Sequence, residues 1–135
     1  MFEKVLHFLQ ENRVFYLATV EGNQPKVRPF GLAIAHEGRL YFGTSNDKAV
    51  YRQLVANPNF EVSACSSDMQ WLRLRGKAKF ENNMTVKKKA FELVPMLANI
   101  YQTPENPHFE VFYIAEAEGG FYSMANDNAP EMFKF

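Results

Sequence analysis

The sequence has a single cysteine, Cys65, so no disulfide can form within the chain. It has no net charge either, because 15 lysines and arginines balance 15 aspartates and glutamates. That balance argues against a broad electrostatic attraction to nucleic acid or to an anionic membrane, although a local anion site is compatible with it. No apolar run is long enough to span a bilayer. The first residues mix Glu3, Lys4, His7, Glu11 and Arg13 with apolar side chains, unlike a signal peptide, so a cytoplasmic protein is expected. Several enzyme signatures are missing: there is no Gly-x-Ser-x-Gly elbow, no phosphate-binding P-loop and no Gly-x-Gly-x-x-Gly. His7, His36 and His108 are isolated, without metal-ligand spacing. Glu116 and Glu118 share one side of a strand, where paired carboxylates are usually solvated. No acid–base or nucleophilic constellation is visible, so an enzymatic role needs a cofactor to carry the chemistry.

What the chain does have is apolar and aromatic mass. Hydrophobic residues make up 47% of 135 residues and aromatics 15%, which argues against disorder and for one domain over residues 1–135. Thirteen Phe and six Tyr point to a β-rich interior or a large buried interface.

The pattern predicts a short amphipathic helix over residues 2–11, with Phe2, Val5, Leu6 and Leu9 on one face. Residues 14–20 are β-branched and aromatic and read as a strand. Glu21-Gly22-Asn23-Gln24 is turn chemistry. A second strand is expected over 25–36, on an edge or bulged, because Pro25 and Pro29 cannot donate to a ladder. After Glu37-Gly38 a third strand covers 39–43 and completes a three-stranded meander. A helix is predicted next, capped by Ser45 or Asn46, with Val50, Leu54 and Val55 facing a core and Asn57-Pro58 as its stop. Strands follow at 59–66, where Cys65 reads as a small buried hydrophobe, and at 70–80. In the latter, Leu72, Leu74, Gly76, Ala78 and Phe80 alternate with Trp71, Arg73, Arg75, Lys77 and Lys79, so the apolar set faces the core and a basic row lies on the other side. A helix capped by Thr85 is expected over 86–100, kinked or divided at Pro95, with an unexplained cluster Lys87-Lys88-Lys89. The last strand covers 109–118, is broken at Gly119-Gly120, and has residues 121–124 as an extension or a separate strand. The tail 125–135 reads as irregular, its apolar end docking on a second subunit. About six strands with helices placed between hairpins indicate a mainly β (α+β) domain, a β-barrel with peripheral helices.

One stretch stands out chemically. Leu40-Tyr41-Phe42-Gly43-Thr44-Ser45 leads from a strand toward a helix that opens near Lys48. Free N–H groups and the positive end of the helix dipole favour an anion there, and two hydroxyls and an ammonium add donors. The same residues also suit an ordinary capped helix with a solvated lysine. Arg28, on the second strand, and Arg73 or Arg75 are further cations able to converge on a phosphate. The basic row suits a plain solvated face equally well.

In their order and spacing, several segments resemble the flavin-binding split-barrel proteins similar to pyridoxamine 5′-phosphate oxidase, and within them the small nitroimidazole-resistance (Nim) type. They are the hairpin from Phe15-Tyr16-Leu17-Ala18-Thr19 to Lys26-Val27-Arg28-Pro29-Phe30, then Leu40 to Ser45 with Lys48, then Asn57-Pro58, then Trp71-Leu72-Arg73-Leu74-Arg75-Gly76-Lys77-Ala78. The resemblance implies a six- to seven-stranded antiparallel split barrel, forming a homodimer with FMN at the subunit interface. It implies that Arg28, Thr44, Ser45 and Lys48 hold the flavin phosphate, and that the backbone of Val27, Arg28, Pro29 and Phe30 runs along the ring. It also implies that Trp71 and Arg73 approach a flavin, often the one bound to the other subunit. The expected activity is transfer of electrons from NAD(P)H to a small acceptor, nitroaromatics included. The chain lacks the longer C-terminal segment of true pyridoxamine-phosphate oxidases, which puts that activity in doubt. The alternatives are a non-catalytic flavin- or haem-binding module and an interaction domain whose basic strand meets an acidic partner.

Overall fold

The computed structural model describes residues 1–135 as one mainly β domain of eight strands and four helices. Helix α1 (Phe2–Glu11) packs Val5 and Leu9 into the main core. Strands β1 (Phe15–Glu21) and β2 (Gln24–Phe30) form a hairpin through Gly22, whose φ of +62° suits glycine. The expected strand over 25–36 is in fact two. It breaks at residues 31–33, and β3 (Ile34–His36) pairs with β4 (Arg39–Ser45) instead of β1. The meander is therefore two separate hairpins at opposite ends of the sheet.

Helix α2 (Ala49–Ala56) precedes β5 (Asn59–Cys65) and β6 (Gln70–Phe80). Pro95 lies between α3 (Met84–Leu93) and α4 (Leu97–Tyr101), the division its missing N–H and fixed φ require. Asn83, not Thr85, caps α3 by accepting from the Val86 N–H at 3.1 Å. Strand β7 (Phe109–Ser123) runs straight through Gly119-Gly120, and the tail folds back as β8 (Glu131–Lys134). A Cβ on Gly119 would lie 1.9 Å from the Arg73 carbonyl oxygen, so the glycine permits close strand approach rather than ending the strand. The tail docks on its own chain: β8 pairs with residues 118–121, Phe133 is buried against Phe121, and Phe135 meets Phe2 edge-on.

All strand pairs are antiparallel, in the order β2-β1-β5-β6-β7-β4-β3, with β8 added to β7. The two ends of that order, β2 and β3, are joined by the chain but not by a ladder. The barrel is therefore split along that seam, and β2 keeps one unpaired edge, as its prolines require. Phe15, Leu17, Phe42, Phe60, Val62, Leu72, Leu74 and Phe112 fill the interior. A smaller core under α3 and α4 takes the opposite faces of β4 and β7 through Tyr41, Phe109 and Val111, packed on Val86, Ala90 and Tyr101. Cys65 is exposed, not buried. Alternation sends Phe60, Val62 and Ala64 inward and leaves Cys65 outward, opposite Trp71.

At one edge of this second core, Glu81 accepts from the Tyr41 hydroxyl at 2.7 Å and from the Asn83 amide at 2.9 Å, with Arg39 at 3.4 Å. The bonds from Asn83 and Tyr41 hold its carboxyl below the usual range. A depressed carboxylate adds stability that is complete above the unfolded value and is lost as pH falls through the folded one. Acid titration of the melting temperature should show a smaller loss in Glu81→Gln than in the wild type. Equal losses would mean that this carboxylate does not contribute to acid sensitivity. Nearby, Lys89 donates to His36 Nδ1 at 3.0 Å, so one member of the lysine cluster meets an imidazole, not an acid.

Candidate functional site

A cavity of about 390 Å³ opens at the end of the barrel where the split seam, the end of β4 and the start of α2 meet. It is of small-molecule size. Arg28, Pro29 and Phe30 come from β2, Gly43 and Thr44 from β4, and Lys48 from the residue before α2. The far wall is apolar and is built by the α3–α4 elbow through Val94, Met96, Leu97, Ile100 and Tyr101. The packing at Gly43 is close, since a Cβ there would meet Leu32 at 3.0 Å and Phe109 at 3.1 Å.

Alternation separates the side chains along each strand, although the consecutive residues 28–30 and 43–44 all border the cavity. Arg28 and Phe30 turn to the inner face with their partners Leu17 and Phe15, whereas Val27 is 68% exposed on the outer face. Thr44 lies on the cavity wall. Its neighbour Ser45 is not among the lining residues, and its hydroxyl donates to Asp47 Oδ1 at 2.6 Å. That bond, above all, holds the Asp47 carboxyl below its ordinary value. Burial pushes the Tyr101 phenol up, and contact with the Ser45 hydroxyl offsets part of the rise. Neither Ser45 nor Asn46 caps α2. Strand β4 extends through Ser45, Lys48 occupies the cap position without a side-chain bond, and Asn46 donates to Pro107 O and Glu110 Oε1. Lys48 is exposed and takes part in none of the ion pairs.

Arg28 is held from behind. Its Nη1 donates to Leu17 O at 3.1 Å, Thr19 Oγ1 at 2.8 Å and Lys26 O at 3.3 Å, and its Nη2 donates to Gln53 Oε1 at 2.6 Å. Desolvation pulls the guanidinium below its ordinary value, and an arginine there remains charged. All four acceptors are neutral, so its charge is not cancelled. Sequence reading missed Thr19 and Gln53. A signal existed for Gln53, which falls between Val50 and Leu54 on the buried face of α2, where a polar side chain is out of place.

Trp71 and Arg73 do not line this cavity. They stand on the outer face of β6, where Trp71 stacks on Tyr122 at 4.4 Å and Arg73 pairs with Glu61 at 3.3 Å. Arg75 and Lys77 pair with Glu118 and Glu116, so three of the four cations in the basic row are neutralised across strands, and Lys79 takes part in none of the ion pairs. Glu116 reaches its place through a β-bulge opposite residues 75–77, with a positive φ of 54°. No histidine lines the cavity, and no group of His, Cys, Asp or Glu is arranged to hold a metal ion.

The sequence model described as pyridoxamine 5′-phosphate oxidase matches residues 1–122. The chain belongs to that family. A NimC/NimA family protein from Clostridium acetobutylicum is 39% identical over 99% of this chain and 93% of its own, with a TM-score of 0.91. That likeness places the chain in the Nim group of pyridoxamine 5′-phosphate oxidase-like proteins. General stress protein 26 from Bacillus anthracis is 22% identical over 99% of this chain and 98% of its own, with a TM-score of 0.77. The heme storage protein HutZ from Vibrio cholerae is 16% identical over 90% of this chain and 92% of its own, with a TM-score of 0.69. These last two show the shared fold alone. No curated protein matches the chain. No helix is long and apolar enough to cross a membrane.

Proposed function

We propose that the protein is an FMN-dependent oxidoreductase acting on a small acceptor, nitroaromatics among the candidates. The observation that carries this is the convergence of Arg28, Thr44 and Lys48, from three different elements, on a cavity whose opposite wall is apolar. A guanidinium, a hydroxyl and an ammonium at one end suit a phosphate. The apolar elbow and Phe30 suit the rest of a planar ligand, and the unpaired edge of β2 offers backbone groups to its rim. Bound there, FMN supplies electron transfer from NADH or NADPH to the acceptor. The chain's own residues anchor the phosphate, exclude water along the elbow and hold the ring against β2. No side chain in the cavity is assigned as a catalytic acid or base.

The proposal includes a homodimer. Strand register aligns Pro29, Tyr16, Ser63, Arg73, Gly120 and Met132 in one row across six strands. On that outer face Tyr16 is 51% exposed and Met132 61%, and Val27 stands in the next row. Large apolar side chains left exposed together on one sheet face favour an interaction surface there. In a dimer, Trp71 and Arg73 would meet the partner's flavin. Tyr16→Glu with Val27→Asp is expected to convert the dimer to monomer in analytical ultracentrifugation. A wild type that sediments as a monomer at all concentrations would refute the dimer.

The experiment for the cofactor is a visible spectrum of the protein mixed with FMN and passed through a desalting column. Flavin bands eluting with protein, followed by NAD(P)H oxidation above the free-flavin background, are the expected results. The absence of an acid–base pair in the cavity favours a second reading, a non-catalytic binding module. Retained flavin without turnover would select it, and a Soret band after loading with haem would name its ligand.

A further inference from the structure

We propose that Gln53, with Thr19, is a positioning residue that aims Arg28 into the cavity while insulating it from the Glu21 carboxylate. The inference rests on reading the cavity as a phosphate site. Gln53 is 6% exposed and Thr19 2%. The Gln53 carbonyl oxygen accepts from Arg28 Nη2 at 2.6 Å and from the Thr19 hydroxyl at 2.5 Å, while its amide nitrogen donates to Glu21 Oε2 at 3.0 Å. This network fixes the amide orientation, because two donors face the oxygen and a carboxylate faces the nitrogen.

The arrangement is a relay that stops short of an ion pair. Glu21 orients Gln53, Gln53 orients Arg28, and the amide between them keeps the carboxylate from neutralising the guanidinium. The acceptors take both Nη1 hydrogens and one on Nη2. Nε and the second Nη2 hydrogen have no acceptor in the chain. Together these make up a two-pronged donor edge of the kind that binds an oxyanion in bidentate fashion. A leucine between Val50 and Leu54 would pack at that position without the cost of burying an amide. The amide therefore serves Arg28 more than it serves the core.

The test compares FMN with riboflavin, which lacks the phosphate, on the full-length wild type, Gln53→Leu, Gln53→Glu and Thr19→Val. The wild type is expected to prefer FMN. Gln53→Leu releases Arg28, and Gln53→Glu cancels its charge. Each should cut FMN affinity about tenfold relative to riboflavin. Thr19→Val, which keeps the shape, should lower the ratio less. A merely structural role for Gln53 would weaken both ligands together. The guanidinium NMR signals of Arg28 give a second readout: separate Nη resonances in the wild type should average in Gln53→Leu as rotation is freed. An unchanged FMN-to-riboflavin ratio in both Gln53 variants overturns the inference and leaves the phosphate site standing. A wild type that binds both ligands equally, or neither, overturns the phosphate site itself and this inference with it.

Discussion

Replacing Arg28 and Lys48 together by alanine should strip FMN from the protein and leave the barrel folded. In the proposed site each residue contributes a charge-assisted bond to the flavin phosphate, on the order of 1.5–3 kcal/mol apiece. Losing both corresponds to roughly two to four orders of magnitude in Kd. Neither side chain belongs to the hydrophobic core. Lys48 is exposed, and the loss of Arg28 takes one donor from Gln53 while Thr19 still donates to the same oxygen. The structural cost is therefore about 1–2 kcal/mol, within what a domain of this size tolerates. Calorimetric titration with FMN and a thermal melt of each single and double variant separate the two effects. Unchanged FMN affinity in a folded double variant would place the phosphate elsewhere.

Gly119→Ala should be the most damaging single methyl in the sheet. Its Cβ would sit 1.9 Å from the Arg73 carbonyl oxygen, 2.9 Å from the Arg73 carbonyl carbon and 3.0 Å from the Leu74 Cα. These are backbone atoms of the facing strand, so no rotamer change relieves the clash. The two strands must separate where β6 and β7 share ten paired positions. A loss above about 3 kcal/mol, or about 10 °C in Tm, is expected. Gly22→Ala is the control. Nothing lies within 4 Å of its Cβ, and only the positive φ of 62° opposes it, costing about 1 kcal/mol. Similar melting temperatures for the two variants would mean that β7 can shift away from β6 without penalty.

Much of the architecture could be read from local pattern. The alternation in residues 70–80 placed Leu72, Leu74 and Ala78 inside and Arg73, Arg75 and Lys77 outside, as observed, because a two-residue period leaves no other arrangement. Pro95 divided its helix for a reason internal to the residue. Other features depended on partners distant in sequence. The break at residues 31–33 reflects β3 finding β4 while β2 stays with β1. Gly119-Gly120 reads as a strand end until the Arg73 backbone is seen against it. The tail shows no strand signal until β7 offers it an edge. The outward place of Cys65 follows from the phase of β5, which one extra residue would have reversed.

The candidate site divides the same way. By itself the sequence determined most of the strands, the cations available to an anion and the likeness of the whole order to a flavin-binding family, because these rest on residue chemistry and short-range periodicity. Only the tertiary structure decided that Thr44 lines the cavity and Ser45 does not, that Gln53 stands behind Arg28, and that Arg73, Arg75 and Lys77 of β6 are matched by Glu61, Glu118 and Glu116. Each of those outcomes depends on closing the barrel, which brings β2, β4 and α2 together at one end and β5, β6 and β7 side by side. Contacts between residues dozens of positions apart are set by register and curvature, which no short stretch of sequence contains.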